Sequence, residues 1–422
     1  MNNYYQTTVE LFDLQKYAIK LGLDNITSLA SFFNNPHLKY PSFHIAGTNG
    51  KGSTAFYISK ILQSCGLKVG LYTSPHLVDF RERIRINGQN IEKDYVTDFW
   101  REIKGKIHNL KATFFDTTTL MAFKYFADNK IDIAVFETGL GGRLDSTNIL
   151  KSEYVILTPV SFDHQKQLGN NLTSIASEKA GIIKPGSNIF SSRQYPRVFK
   201  VFELYSKGNS FLYFPDHFEI TIMNKDLNGL NFSLKNKKEN EVYTFSLPTI
   251  ASYQADNFSM AFIAVQEFCQ NNKINLPMEQ IKQVATSVSW PGRLQLIQKS
   301  PHIFFDVSHN SSGIKKTINT LTEVINKKRI HLLLGIVNDK DAHSIVKFLS
   351  GKFESIIVTE PDTPRKKDGE VLRKMFVKEK QKVEFIKDLS AAFEFSKKSL
   401  TKNETLLALG SHYLIGALMR IG

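Results

Sequence analysis

The eight residues Gly47-Thr-Asn-Gly50-Lys51-Gly52-Ser53-Thr54 join a short apolar run, Ser42–Ala46, to a stretch with helical apolar spacing at Phe56, Ile58, Ile61 and Leu62. Glycine-rich backbone at such a junction can wrap until its N–H groups reach phosphate oxygens, and the dipole of the following helix adds to the attraction. Lys51 can neutralise phosphate charge, while the hydroxyl of Ser53 or Thr54 can face Mg2+. The strict Walker spacing is not met, because Ile45 stands five positions before Gly50. The competing reading is an ordinary glycine turn; a buried strand before the loop and a helix after it favour the phosphate cradle.

Such a loop needs a rigid frame. Residues 7–33 carry apolar side chains at helical spacing and read as two short helices broken near Gly22-Leu-Asp24. Strand Ser42–Ala46, helix Ser53–Ser64 and strand Lys68–Tyr72 then form a strand–helix–strand unit, which implies a right-handed parallel crossover. A helix at Thr118–Asp128 leads into strand Ile131–Phe136, and strand Tyr154–Leu157 follows; their continuous apolar runs suit strands buried on both faces. Residues 211–247 alternate instead, at 218–222, 230–234 and 242–245, with Asn228-Gly229 between the first two. They read as an antiparallel meander at a sheet edge. A helix over Asn257–Gln270 closes the first domain. Beyond Trp290-Pro-Gly-Arg293 the alternation restarts with strands 303–307, 331–337, 355–359, 383–386 and 406–409. The fold class is therefore α/β, with domains expected at 1–290 and 291–422.

More motifs follow in order: Tyr72-Thr-Ser-Pro-His-Leu77, Glu137-Thr-Gly-Leu-Gly-Gly-Arg-Leu-Asp145, Asp163-His164 and Glu178-Lys-Ala-Gly-Ile182. The C-terminal part adds Trp290–Arg293, Asp306-Val-Ser-His-Asn310 and Gly410-Ser-His412. With Ala46–Thr54, this series resembles the Mur ligase superfamily in the form used by folylpolyglutamate and dihydrofolate synthases, over nearly the whole chain. The resemblance implies a P-loop-type parallel-sheet ATPase domain followed by a smaller Rossmann-like α/β domain that carries the glutamate ligase function, with the active site in the cleft between them. It implies that ATP phosphorylates a folate-type carboxylate and that the amine of L-glutamate attacks the acyl phosphate. That order is chemically reasonable, since a carboxylate lacks a leaving group and the transferring phosphoryl charge needs metal and lysine.

The same resemblance assigns residues. ATP would be held by Gly47, Thr48, Asn49, Gly50, Lys51, Gly52 and Ser53, with Asn257, Arg293 and Asp306. Two Mg2+ ions would be held by Ser74, Glu137, His164 and Lys179, the lysine as a carbamate. Carbamylation needs a neutral amine, and an exposed helix lysine is the plainer alternative for Lys179. Likewise Ser74 has a cap or turn role as its alternative. Lys51, Lys179 and His309 are the expected catalytic groups, with a turn histidine the alternative at His309. The pterin pocket, for dihydropteroate or folate, would use Thr113, Phe114, Phe115, Asp116, Leu144, Asp145 and Ser146. Asp116 stands where relatives carry glutamate, which draws its carboxylate back by about 1.5 Å.

Composition bounds the rest. The 422 residues are 42% hydrophobic and 22% charged, as in globular proteins. Cys65 and Cys269, far apart in apolar helical contexts, are expected to form neither a disulfide framework nor a metal knuckle, which suits a reducing compartment. No signal pattern opens the chain and no run of 18 apolar residues occurs, so a cytoplasmic protein with no membrane partner is expected. The net charge of +14 raises a nucleic-acid-associated P-loop ATPase as an alternative, but the lysines are scattered, and the densest groups (Lys235, Lys237 and Lys238; Arg365–Lys367) lie in loop-like stretches. The expectation is a monomer acting on small molecules and not on nucleic acid. The other alternative is a Mur-type ligase acting on UDP-muramoyl acids; the 72–77 and 140–145 motifs argue for the folate branch.

Overall fold

A computed structural model describes residues 3–16, 22–288, 290–326 and 329–421. The apolar run Ser42–Ala46 forms β1, buried along its length as a strand with two neighbours and two covered faces must be. With β2 (Val69–Tyr72), β3 (Ile84–Ile86), β4 (Gln89–Asn90), β5 (Ile133–Glu137), β6 (Tyr154–Leu157), β7 (Asn188–Ser191) and β8 (Ser210–Tyr213), it builds an eight-stranded sheet. The order is β4-β3-β2-β5-β1-β6-β7-β8. Strands from β2 to β8 in this order are parallel, and only β3 and β4 pair antiparallel. The carboxyl ends of β2, β5 and β1 therefore lie side by side, the place where open parallel sheets bind ligands. Ile45 is level with Glu137, and Tyr72 with Phe136.

Helix Lys51–Ser64 starts two residues earlier than its apolar spacing suggested, because Gly50 at its N-cap adopts a left-handed φ of 92°. Helices Tyr4–Asp13 and Asp24–Phe32 occupy the expected N-terminal stretch, of which 17–21 lie outside the described residues. Helix Phe114–Asp128 also starts earlier than read, at a capping box of Thr113 and Asp116.

Residues 218–247 correct one expectation. β9 (Phe218–Asp226), β10 (Gly229–Asn236) and β11 (Val242–Leu247) form a separate three-stranded sheet and do not extend the large one. Their alternation explains this: in β10, Leu230, Phe232 and Leu234 are buried while intervening residues are not, so this sheet covers one face only. A second sheet has the order β12-β13-β17-β14-β15-β16. It contains β12 (Gln295–Lys299), β13 (His302–Asp306), β14 (Ile330–Leu334), β15 (Ser355–Val358), β16 (Glu384–Phe385) and β17 (Thr405–Leu409). All its pairs are parallel except β12 with β13. The unexpected strand β12 is that antiparallel edge.

The chain groups into two compact units. The first comprises Met1–Ser161, Gln165–Phe218 and Asn257–Val284, and the second Phe162–His164, Glu219–Asp256 and Ala285–Gly422. In the first, Phe123, Phe126 and Phe136 stack edge and face at 5.1 to 5.6 Å behind β5. In the second, Leu332, Leu334, Leu407, Leu409 and Ile345 are fully buried. Each such side chain contributes about 1.5–3 kcal/mol by leaving water. Cys65 and Cys269, 204 positions apart, are free thiols as expected, yet their sulfurs lie 3.8 Å apart within the first unit. Sequence distance hid a packing of two helices. Among the described residues no helix is long and apolar enough to cross a membrane.

Candidate active site

Two glycines show how tightly the loop after β1 is folded. A Cβ on Gly47 (φ 155°) would lie 1.8 Å from Thr158 Oγ1, and one on Gly50 would lie 2.6 Å from Asn257 Oδ1. Side chains at either position would push the loop off its supports. The backbone N–H groups of Thr48 and Asn49 donate to the Pro159 carbonyl at 3.0 and 3.3 Å, and Thr48 Oγ1 donates to the Ser161 carbonyl at 3.0 Å. These two residues, expected among the phosphate contacts, spend their amides on anchoring the loop. The amides that an α-helix leaves unbonded within itself are those of its first turn, here Lys51, Gly52 and Ser53. Ser53 is buried, and Thr54 Oγ1 is buried without a hydrogen-bond partner.

Lys51 Nζ donates to the Thr48 carbonyl at 3.3 Å and lies 3.9 Å from Glu137 Oε1. Glu137, only 5% exposed at the end of β5, accepts the backbone N–H of Ser74 at 3.1 Å. The structure thus brings Lys51, Ser74 and Glu137 together at three adjacent strand ends. Lys179 joins them from helix Leu172–Ala180. It is 5% exposed, and its Nζ donates to the Gly47 carbonyl at 2.7 Å. The reading of Lys179 as a surface lysine is excluded by that burial.

Asp145 does a different task. Its Oδ2 accepts the N–H groups of Gly139 and Leu140 at 2.9 and 2.8 Å, and its Oδ1 those of Thr147 at 3.1 Å and its hydroxyl at 2.5 Å. Burial pushes its carboxyl pKa up against those donors. The turn after Glu137 is therefore moulded around Asp145. Asp116 accepts from the Thr113 N–H and hydroxyl at 2.9 and 2.8 Å, and from Ser146 Oγ at 2.6 Å. Phe114 is buried and stacks on Phe12 at 5.5 Å, with the Arg83 guanidinium 5.1 Å from its ring. Phe115 and Leu144 are part-exposed, and the Phe115 ring lies 6.0 Å from that of Tyr72.

In the second unit, Asp306 ends β13, fully buried, and accepts from Leu294 N at 2.7 Å, Ser308 N at 2.9 Å and Thr317 Oγ1 at 3.0 Å. Arg293, one residue before Leu294, keeps its buried Nε without a hydrogen-bond partner. His309 Nδ1 donates to the Val307 carbonyl at 2.9 Å, which leaves the lone pair on Nε2, 3.8 Å from Asp163 Oδ2. Burial and then the Lys340 ammonium push His309 down to about 4, so it is neutral at pH 7. Asp163 also takes Lys340 Nζ at 2.9 Å and Asn310 Nδ2 at 3.2 Å. Although burial opposes its charge, His164, Lys340 and His309 hold its carboxyl well below the usual range. His164 is part-exposed, with a left-handed φ of 49°. Lys340 is not among the site residues read from sequence; the charged run Asp339-Lys-Asp341, in the loop that follows the buried β14, was the available signal.

Among the described residues no three His, Cys, Asp or Glu side chains converge as a metal site. Ser74 and Glu137 nevertheless fit Mg2+, which takes one or two hard protein oxygens and completes its shell with phosphate and water.

A phosphate loop with its lysine and carboxylate at the carboxyl ends of a parallel sheet, followed by a second parallel α/β sheet, defines a nucleotide-phosphate-binding α/β protein. The Mur ligase middle domain family model matches residues 45–265, and that of the Mur ligase glutamate ligase domain matches residues 292–412. The chain is 30% identical over 409 residues to the dihydrofolate synthase/folylpolyglutamate synthase of Bacillus subtilis, covering 95% of this chain and 94% of that protein. It is similar to the Mycobacterium tuberculosis folylpolyglutamate synthase solved with ADP and AMPPCP, at a TM-score of 0.89 and 28% identity over 99% of both chains. The Thermotoga maritima folylpolyglutamate synthase gives a TM-score of 0.83 at 30% identity, over 99% of this chain and 96% of that one. This chain belongs to the folylpolyglutamate synthase/dihydrofolate synthase family of Mur ligases.

Proposed function

We propose that the protein adds L-glutamate to 7,8-dihydropteroate, to folyl-(poly)glutamate, or to both, through an acyl phosphate, as a cytoplasmic monomer. The observation that carries this reading is the meeting of Lys51, Ser74, Glu137 and Lys179 around one glycine loop. Residues 1–290 bind and activate ATP, and residues 291–422 carry the glutamate ligase part. The first-turn amides of helix Lys51–Ser64 and Lys51 hold the phosphates, with Asn257, Arg293 and Asp306 also contacting nucleotide. A carboxylate oxygen of the folate substrate attacks the γ-phosphorus and ADP leaves. The glutamate amine then attacks the acyl carbon, loses a proton, and inorganic phosphate leaves.

Ser74 and Glu137 would hold one Mg2+, and His164 and a carbamylated Lys179 are the proposed ligands for a second; the metal would neutralise charge on the transferring phosphoryl group. Lys179 is the proposed carbamylated residue, buried with its Nζ against the Gly47 carbonyl of the loop. Neutral His309, with its Nε2 lone pair, is suited to receive the proton. Thr113–Asp116 and Leu144–Ser146 shape the pterin side, where the Asp116–Ser146 bond ties the two segments together.

Purified protein is incubated with ATP, Mg2+ and glutamate, with dihydropteroate and tetrahydrofolate in separate reactions, and the products are weighed. A mass gain of one glutamyl residue with matching ADP release is expected. Turnover only with a UDP-muramoyl acid, or ATP hydrolysis driven by DNA or RNA and indifferent to glutamate, would sink the reading.

A further inference from the structure

The sulfurs of Cys65 and Cys269 face each other at 3.8 Å, and both thiols are free. Cys65 caps the C-terminus of helix Lys51–Ser64, and Cys269 lies near the end of helix Tyr253–Asn272. At the opposite end of the same pair, Asn257 lies against Gly50, and between the two points the rings of Tyr57 and Phe258 meet at 5.3 Å. The two helices therefore run side by side in the same direction, from the phosphate loop to the thiols. Cys65 is part-exposed, whereas Cys269 is 1% exposed. A disulfide needs the sulfurs to close to about 2.05 Å, a shift of side chains and of one helix terminus. Gly66, next in the chain, has a left-handed φ of 83° and nothing within 4 Å of where a Cβ would stand, so no neighbour packs against that face of the turn.

We propose that Cys65 and Cys269 are a reversible oxidation site, forming a disulfide that staples the phosphate-loop helix to the helix bearing Asn257. The oxidant is a small-molecule disulfide. Cys65, the accessible thiol, loses its proton and attacks one sulfur of R–S–S–R, forming a mixed disulfide and releasing R–S⁻. The Cys269 thiolate then attacks the Cys65 sulfur, forming the protein bond and releasing the second R–S⁻. Two electrons pass from the protein sulfurs to the reagent, which leaves as two thiols. The hydrogen bond between the thiols prepares this order: it lowers the pKa of Cys269 and, with burial added, raises that of Cys65. The first attack is thus slow, because Cys65 is held as a thiol, and the second is favoured by the 3.8 Å contact that already places Cys269 against the Cys65 sulfur.

The test uses whole reduced protein in oxidised glutathione at pH 8, followed by alkylation, intact mass and peptide mapping. Wild type should lose both alkylatable thiols together, carry a bond between the Cys65 and Cys269 peptides with no lasting glutathione adduct, and revert with dithiothreitol. Cys269→Ala should accumulate one glutathione on Cys65, and Cys65→Ser should stay unmodified. The bonded wild type should melt several degrees higher than the reduced form, since the bond closes a 204-residue separation. Two alkylatable thiols at full oxidant, a persistent adduct on wild-type Cys65, or disulfide-linked dimers would overturn the pair. A bonded protein that melts no higher would overturn the staple. The readouts involve neither ATP nor folate, so they stand or fall separately from the proposed reaction.

Discussion

The carboxyl edges of the two parallel sheets carry similar residue types and use them in opposite ways. At the first, Lys51 and Glu137 approach only to 3.9 Å, and Lys51 leans on a backbone carbonyl. At the second, Asp306 accepts three bonds of 2.7 to 3.0 Å from its own unit, and Asp163 is closed by Lys340 at 2.9 Å. A buried carboxylate with three close donors is a fastener, because losing it strands those donors without water. A loosely paired lysine beside a carboxylate keeps capacity for an incoming anion and its metal. The first edge leaves its lysine and carboxylate loosely engaged, whereas the second spends its carboxylates on close bonds within its own unit.

The comparison breaks most visibly if Lys51 proves to be structural. Lys51→Ala should lower glutamate-dependent ADP release by roughly a thousandfold or more while the melting temperature barely moves. Activity within tenfold of wild type would remove Lys51 from the phosphate site. Asp306→Ala should cost stability in addition to its proposed nucleotide contact. Leu294 N–H, Ser308 N–H and Thr317 would lose their shared acceptor, at a cost of about 3 kcal/mol read from the urea midpoint. A loss under about 1 kcal/mol would mean that Asp306 is not the fastener described.

Much of the receiving edge is legible in sequence because its parts are contiguous: Gly47–Thr54, Tyr72–Leu77 and Glu137–Asp145 are each one strand end with its loop. The alternating strands at 218–247 were readable as strands, but not their separate sheet, since alternation reports one covered face and not the neighbour. Asp306 was readable as a motif residue, but its bonds to Leu294 and Thr317 depend on β13 folding back beside β12 and on the following helix. Lys179 is legible as a site residue only through the family motif, with a surface lysine as the alternative; its burial against the Gly47 carbonyl depends on a contact 132 positions away. Residues that act through distant partners, Lys340 and the two cysteines above all, leave only weak local marks.

A quieter test of the first edge is its supporting strand. His44, fully buried in β1, bonds Thr147 Oγ1 through Nε2 at 2.8 Å. Burial and then the Lys184 ammonium push its pKa down to about 3. The folded state therefore binds no proton on His44 at pH 5, whereas the unfolded chain, near 6.5, does. Its contribution is whole above pH 6.5 and is lost as pH falls from there towards 3. From pH 6.5 to 5.5 the loss is about 1 kcal/mol, and His44→Asn should flatten that part of the urea-midpoint profile. An unchanged slope in the variant would place the acid sensitivity elsewhere.

The smallest expected effect separates pocket from fastener on the pterin side. Ser146→Ala removes the donor to Asp116 Oδ1 and leaves the Thr113 capping box on Oδ2 intact. Stability should fall by about 1 kcal/mol, the ordinary value of one such bond. If the two segments only brace each other, KM for the pteroate substrate should follow wild type once the variant is folded. If they shape the pocket, KM should rise severalfold with kcat nearly unchanged, the mark of lost uniform binding. Equal KM values would move the pterin contact away from Ser146 and leave Asp116 as a helix cap, with the receiving edge confined to its phosphate half.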